Sequence, residues 1–96
     1  MLEKLESLVR EALSAAQAAD ELPPFEVKDL GLERPADSSN GDWSSTVALR
    51  SAKLAHCAPR KVADAIVAHI PADDAVDRIE VAGPGFINFY LKAASN

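Results

Sequence analysis

The residues best suited to chemistry lie on a predicted strand near the end of the chain, Phe86 to Leu91. Side chains alternate between the two faces of a strand, so Phe86, Asn88 and Tyr90 share one face and the apolar residues between them share the other. A nucleotide base stacks on an aromatic ring, and an asparagine amide offers a donor and an acceptor to the edge of that base. The pattern therefore indicates a site for a splayed base. The structural alternative is that both rings pack under a loop and the amide serves backbone groups.

Two glycines precede this strand in the segment Gly83-Pro84-Gly85. The segment predicts the tight turn of a β-hairpin with a glycine at a position of positive φ. It lacks the third glycine of a dinucleotide loop and leads into a strand rather than a helix, so we expect no Rossmann or P-loop phosphate site. A turn built from glycines lets a nucleic-acid backbone approach closely, which makes Gly83 and Gly85 candidate contact residues.

Basic residues gather in the region before the hairpin. The candidates to steer phosphates are Arg50, Lys53, Arg60, Lys61 and, on the following strand, Arg78. The alternative for these cations is an ordinary solvated face.

Metal-binding and nucleophilic patterns are not evident. His56, Cys57 and His69 are the soft ligand candidates, and the chain has no CxxC or HExxH spacing. Adjacent His56 and Cys57 are poorly placed for proton transfer, with no third group to orient the base. We therefore expect no metal site, no cofactor and no catalytic residue.

Composition limits the function classes further. The 96 residues are 48% hydrophobic and 26% charged, which predicts one domain over residues 1–96. A net charge of −5 disfavours a DNA-binding protein, although residues 41–96 hold six acids and six bases while residues 1–40 hold nine acids and four bases. No apolar run is long enough to span a membrane. One cysteine and an amphipathic N-terminus instead of a signal peptide predict a cytoplasmic location.

Hydrophobic periodicity predicts the elements that position these residues. Apolar stripes indicate helices over residues 2–19 and 59–70, the second opened by Pro59. Another helix is expected over 44–56, with Asp42 or Ser44 as its cap and a Trp43–Val47 staple if Ser44 is the cap.

The remaining segments read as strands and turns. Residues 25–35 form one interrupted strand or two short ones, 36–41 a loop, and 78–82 with 86–91 a hairpin. The order of elements predicts an α+β fold with three helices packed on one face of a small antiparallel sheet.

Three stretches together resemble one family. They are Gly41–Leu49, Ala58–Ala63 and Ile79–Phe89, and the last of them is the most specific. Their order and spacing resemble the N-terminal additional domain of arginyl-tRNA synthetase, over nearly the whole chain.

The resemblance implies functions that composition does not indicate. It implies a partner, arginine tRNA, contacted at its elbow, with a D-loop base such as that at position 20 held by an aromatic residue and an amide two positions later. Phe86 and Asn88 match those two positions. The alternative is a non-catalytic protein-interaction domain that has lost RNA binding.

The resembled parent is an ATP-dependent class I arginine-tRNA ligase. HIGH-type and KMSKS-type signatures do not occur in these residues, so we expect no ligase activity from this chain alone. The synthetase catalytic domain would be a partner if the chain is a fragment. The sequence leaves a fragment and a free-standing relative equally open.

Overall fold

The computed structural model describes residues 2–24, 27, 29–35, 41–71 and 73–92. The elements in chain order are α1 (Leu2–Ala18), β1 (Leu32–Glu33), β2 (Trp43–Ser45), α2 (Val47–Ala55), α3 (Pro59–His69), β3 (Val76–Ala82) and β4 (Phe86–Leu91). The strands form one antiparallel sheet in the order β1-β2-β4-β3. This confirms the predicted α+β class. The strand predicted around Phe25 and most of the loop predicted over 36–41 lie outside the described residues.

Helix α1 forms where the apolar stripe predicts it and ends at Ala18, one residue before the predicted end. The side chains of the stripe are buried, among them Leu5, Val9 and Ala12. They pack mainly against α3. An amphipathic stripe of this kind stabilises a helix by burial against a neighbouring element rather than by propensity alone.

Helices α2 and α3 form a helical hairpin. They pack against each other, and both contact β4. The small residues Ala48, Ser51, Ala52 and Ala55 of α2 are buried, which permits this close approach. Pro59 opens α3 as predicted, because its missing N–H falls where a helix has no intrahelical acceptor to bond.

The start predicted for α2 is wrong. Residues 43–45 are a short strand, β2, that lies between β1 and β4. Asp42 is not a helix cap, because its carboxylate accepts a 2.9 Å hydrogen bond from the Leu91 N–H. Ser44 is not a cap either, since its hydroxyl bonds to Asn88.

The chain enters α2 through Ser45 and Thr46 instead. Thr46 occupies the N-cap position without a side-chain cap hydrogen bond. The Ser45 hydroxyl accepts from the Val47 N–H at 3.1 Å and donates to the Leu30 carbonyl at 2.6 Å. The predicted Trp43–Val47 staple is therefore wrong too, because Trp43 belongs to a strand.

The β3–β4 hairpin is confirmed, with β3 starting at Val76 and an irregularity in the ladder between Val76 and Arg78. Ile87 and Phe89 are fully buried on the side covered by the helices. The opposite side, called here the open face, carries Phe86, Asn88 and Tyr90. Across the ladder from these three stand Ala82, Glu80 and Arg78, respectively.

Within the described part of the chain, no helix is both long and apolar enough to cross a membrane.

Candidate nucleic-acid interface

The open face of the sheet contains a pocket of about 540 Å³, called here the sheet-face pocket. All four strands supply its walls: Glu33 from β1, Ser44 from β2, Ala82 from β3, and both Phe86 and Asn88 from β4. The chain just after β1 and the hairpin turn add Arg34, Pro35 and Gly83. The structure thus brings Phe86 and Asn88 together in one concave site, as strand alternation predicts.

Phe86 lies where the hairpin turn enters β4, and the residue is 37% exposed. Gly83 lies against the ring, since a Cβ added to Gly83 would be 3.2 Å from Cδ2 of Phe86. The φ of Gly83 is 58°, a left-handed conformation that glycine adopts without strain. The turn therefore supports the ring closely while the ring remains accessible from solvent.

Asn88 is more buried than the sequence analysis implies. Only 4% of the residue is exposed, and its direct neighbours across the two ladders are Ser44 of β2 and Glu80 of β3. Its Oδ1 accepts a 3.0 Å hydrogen bond from the Ser44 hydroxyl. No hydrogen bond from the Asn88 NH2 group to another described residue is found. The amide therefore lines the pocket with its oxygen engaged and its two donors available to a ligand.

Tyr90 shares the open face but does not line the sheet-face pocket. The guanidinium of Arg78 lies 4.0 Å from the centroid of the Tyr90 ring. Arg78 is itself engaged by Glu80 at 2.8 Å and Asp77 at 3.7 Å, and the hydrogen bond that Arg78 donates to Glu80 is the main cause that raises the pKa of Arg78. The Arg78 guanidinium thus covers one face of the Tyr90 ring.

The two turn glycines have different surroundings. Gly83 lines the pocket, whereas Gly85 is buried. A Cβ on Gly85 would lie 2.8 Å from Cβ of Pro59 and 2.9 Å from its carbonyl carbon. Gly85 therefore lets the hairpin pack against the start of α3, and the structure explains this glycine by packing rather than by an approaching ligand.

Four of the five predicted steering cations are spread over the helices, and the fifth, Arg78, lies on β3 against Tyr90. Arg60 is the one tied to the hairpin, since its Nη1 donates to the Gly83 carbonyl at 3.3 Å. Arg50 bonds to Thr46 at 3.0 Å and lies 3.8 Å from the Asp29 carboxylate. Lys53 is exposed on α2, and Lys61 lines a separate shallow depression on α3. None of the four lines the sheet-face pocket.

Sequence reasoning misses five pocket residues: Glu33, Arg34, Pro35, Ser44 and Ala82. Ser44 is not predicted as a pocket residue because its sequence context is typical of a helix cap. The guanidinium of Arg34 lies 5.0 Å from the centroid of the Trp43 ring. That contact depends on the pairing of the short strand β1 with β2, for which the sequence carries no signal.

The soft ligand candidates are separate from the pocket. His69 lies 2.8 Å from Glu21, and the Cys57 thiol donates to the Ala55 carbonyl at 3.2 Å. Among the described residues, no group of three or more His, Cys, Asp or Glu side chains could hold a metal ion.

The sequence of the chain is similar to one group of enzymes. The family model described as "Arginyl tRNA synthetase N terminal domain" matches residues 3–91. Arginine–tRNA ligase of Idiomarina loihiensis is 42% identical over 91 residues, and that of Thioalkalivibrio sulfidiphilus 43% over 91 residues. Each alignment covers 95% of this chain and 16% of the relative. The chain thus spans about one sixth of the length of these relatives.

A solved structure shares the fold. Arginyl-tRNA synthetase from Plasmodium falciparum matches with a TM-score of 0.73 over 94% of this chain and 16% of that chain. The sequence identity is 17%, so this likeness supports the fold alone.

Proposed function

The chain belongs to the family of arginyl-tRNA synthetase N-terminal domains, and we propose that it binds arginine tRNA and holds one extruded D-loop base in the sheet-face pocket. One observation carries this proposal: an accessible aromatic ring, Phe86, and a buried amide with available donors, Asn88, line the same concave site. An unstacked base needs both a flat apolar surface and a hydrogen-bonding group at its edge.

Four pocket residues have a role in this proposal. The base stacks on Phe86, and the Asn88 NH2 donates to an acceptor on the base edge while Ser44 holds the amide oxygen. Gly83 keeps the turn close to the ring without a side chain of its own. Stacking of this kind contributes about 1–3 kcal/mol per base.

The basic residues act on the RNA at different distances from the pocket. Arg60 bonds to the turn at Gly83, which supports a role for it in contacting the RNA backbone near the pocket. Arg50, Lys53 and Lys61 lie outside the pocket, so we expect them to contribute a longer-range field that salt screens. Tyr90 and Gly85 support the site structurally, the first beneath Arg78 and the second against Pro59.

The proposal assigns no catalytic residue to this chain. The relatives are named as arginine–tRNA ligases, and this chain matches 16% of their length. We attribute ATP-dependent ligation to a catalytic domain in the part of those relatives that this chain does not match. That domain would be the protein partner of this one.

A titration of the ¹⁵N-labelled chain with tRNA tests the proposal. The native arginine tRNA transcript is compared with a transcript that is abasic at position 20 of the D-loop. The side-chain amide resonances of Asn88 and the backbone resonances of Phe86 and Ser44 should shift saturably with the first and far less with the second. The side-chain amide of Gln17, on α1, provides an internal reference.

Two results would overturn the proposal. Equal shifts of Asn88 with both transcripts would mean that the pocket does not hold this base. No binding of either transcript at low salt would favour the protein-interaction alternative instead.

A further inference from the structure

A row of four polar side chains crosses the open face of the sheet, one from each strand. Glu33 stands opposite Ser44 in the β1–β2 ladder, and Ser44 stands opposite Asn88 in the β2–β4 ladder. Glu80 of β3 completes the row on the other side of Asn88. Residues directly opposite each other in an antiparallel ladder point to the same side of the sheet. The Glu33 carboxylate therefore faces the same side as the Asn88 amide.

The two carboxylates at the ends of this row differ in their surroundings. Glu80 accepts a 2.8 Å hydrogen bond from Nε of Arg78 and does not line the sheet-face pocket. Glu33 lines the pocket and is exposed, and its carboxylate makes no hydrogen bond or ion pair to another described residue. An ionised carboxylate accepts hydrogen bonds and repels phosphate. The ligand group that Glu33 can receive is therefore a hydroxyl or an amine.

Burial distinguishes the floor of the pocket from its rim. Asn88 and Ser44 are 4% and 8% exposed and form the floor, whereas Glu33 is exposed on the edge strand β1. Neighbouring strands lie about 4.8 Å apart, so the backbones of Glu33 and Asn88 are separated by about 10 Å. One base edge is shorter than this span. A base whose edge meets Asn88 at the floor therefore leaves its sugar at the rim, on the side of Glu33.

The size of the pocket is consistent with this arrangement. Its volume of about 540 Å³ falls within the ~300–1,000 Å³ range of small-ligand sites, so it has room for a nucleoside rather than a base alone.

We propose that the Glu33 carboxylate accepts a hydrogen bond from the ribose 2′-hydroxyl of the nucleotide whose base occupies the sheet-face pocket. Acidic side chains bind ribose hydroxyls in this way in dinucleotide sites, and the 2′-hydroxyl is the group by which a protein distinguishes RNA from DNA. This inference rests on the proposed function and adds a sugar contact to it. Phe86 and Asn88 recognise the base, whereas Glu33 selects a ribonucleotide whichever base it carries.

The test compares tRNAs that differ at one sugar. Dissociation constants of the 96-residue chain are measured for native arginine tRNA and for a tRNA that carries 2′-fluoro in place of the 2′-hydroxyl at position 20. Fluorine removes the hydrogen-bond donor while it keeps the sugar pucker of RNA. The wild type should bind the native tRNA about tenfold more tightly, which is the low end of the range for a hydrogen bond to a charged group.

Three variants assign this effect to one carboxylate. In Glu33→Ala the ratio of the two affinities should fall to about one. In Glu33→Gln it should fall to about threefold, because a neutral hydrogen bond is roughly half as strong as a charge-assisted one. Glutamine keeps the length of the side chain, so the reduced ratio does not depend on a disturbed edge strand. Glu80→Ala removes the other carboxylate of the row, outside the pocket, and should keep the wild-type ratio.

The abasic-20 transcript, measured in parallel, separates this inference from the proposed function. A wild type that prefers native tRNA to the abasic transcript but binds the 2′-fluoro tRNA equally well would overturn the Glu33 inference alone. A tenfold ratio retained in Glu33→Ala, or lost equally in Glu80→Ala, would overturn it as well. Equal binding of native and abasic-20 transcripts by the wild type would overturn the proposed function and the Glu33 inference with it.

The other donor that a carboxylate can receive here is an amine on the base. Transcripts with each of the four bases at position 20 distinguish the two sources. Glu33→Ala should change the affinity for all four by the same factor, since the sugar is common to them. A base preference that Glu33→Ala abolishes, together with no effect of 2′-fluoro in the wild type, would put the carboxylate at the base edge and overturn the ribose assignment.

Discussion

The Ser44 hydroxyl donates a 3.0 Å hydrogen bond to Oδ1 of Asn88, and the two residues stand directly opposite each other on β2 and β4. Both are buried, with 8% of Ser44 and 4% of Asn88 exposed. A buried amide oxygen without a partner would be destabilising, so this bond lets β4 carry an asparagine beneath the pocket. It also leaves the amide NH2 as the part of Asn88 that can meet a ligand.

Replacement of Ser44 by alanine should therefore affect both stability and binding. In Ser44→Ala the Asn88 oxygen loses its partner, and the free energy of unfolding should fall by about 1–3 kcal/mol. The preference for the native over the abasic-20 transcript should also fall, because the amide is no longer held. Urea unfolding and transcript binding measure the two effects.

Ser51 provides the matched control for this prediction. Its hydroxyl is buried on α2 and has no hydrogen-bond partner among the residues that the structure describes. Ser51→Ala removes an unsatisfied polar group, so the free energy of unfolding should stay constant or rise. Equal losses in Ser44→Ala and Ser51→Ala would show that the bond to Asn88 is not the source of the effect.

Truncation of Phe86 should weaken tRNA binding more than it weakens the fold. The ring is partly exposed, so Phe86→Ala removes a stacking surface worth about 1–3 kcal/mol of binding free energy. Leu54 on α2 is the other large hydrophobic residue exposed in the described part of the chain, at 50%. Leu54→Ala should leave the dissociation constant unchanged. A comparable loss of affinity in both variants would argue against stacking on Phe86.

The sequence is sufficient to predict the elements whose patterns repeat over several turns or residues. The stripe in α1 and the proline at the start of α3 each locate a helix within about one residue of its observed bounds. Alternation along β4 likewise assigns Phe86 and Asn88 to one face and Ile87 to the other. These are local patterns, because the same burial recurs at a fixed spacing.

The remaining features depend on partners distant in sequence. Ser44 and Ser45 resemble helix-capping residues, and only pairing with β4 reveals them as a buried strand. Asn88 is buried because the strands on both sides cover it, which its own sequence context does not encode. The sequence predicts an extended segment over residues 25–35, but it does not predict the pairing of the two-residue strand β1 with β2, which brings Arg34 to the pocket.

The two turn glycines should respond differently to alanine. In Gly85→Ala the new Cβ would lie 2.8–3.0 Å from Pro59 atoms that include its backbone carbonyl, and φ is 152°. In Gly83→Ala the nearest atom is on the Phe86 ring, at 3.2 Å. A ring can move aside more easily than the first turn of α3, so Gly85→Ala should destabilise the fold more. Gly83→Ala should lose about 1–2 kcal/mol from its left-handed backbone and should also weaken tRNA binding by displacing the ring. Thermal unfolding and transcript titration of both variants measure these losses, and a smaller destabilisation in Gly85→Ala would contradict the packing assignment.

Asp73 should make stability depend on pH in the acid range. It accepts a hydrogen bond from the Ala75 N–H at 2.8 Å and pairs with Lys4 of α1 at 3.1 Å. The backbone bond from Ala75, followed by the contacts with Lys4, holds the pKa of Asp73 below its ordinary value of 3.8. A lowered folded-state pKa means that the ionised carboxylate stabilises the protein above about pH 3.8 and that this contribution is lost as pH falls through the lower, folded value.

The comparison of wild type with Asp73→Asn measures this contribution. The difference in free energy of unfolding should be constant from about pH 7 to about pH 5 and shrink below the unfolded-state pKa. Lys4→Met is the matched variant, because it removes the ion pair but keeps the hydrogen bond from Ala75. Since that bond is the largest cause of the shift, Lys4→Met should retain most of the acid dependence. A stability difference that stays constant down to about pH 2, or one abolished by Lys4→Met, would contradict this assignment.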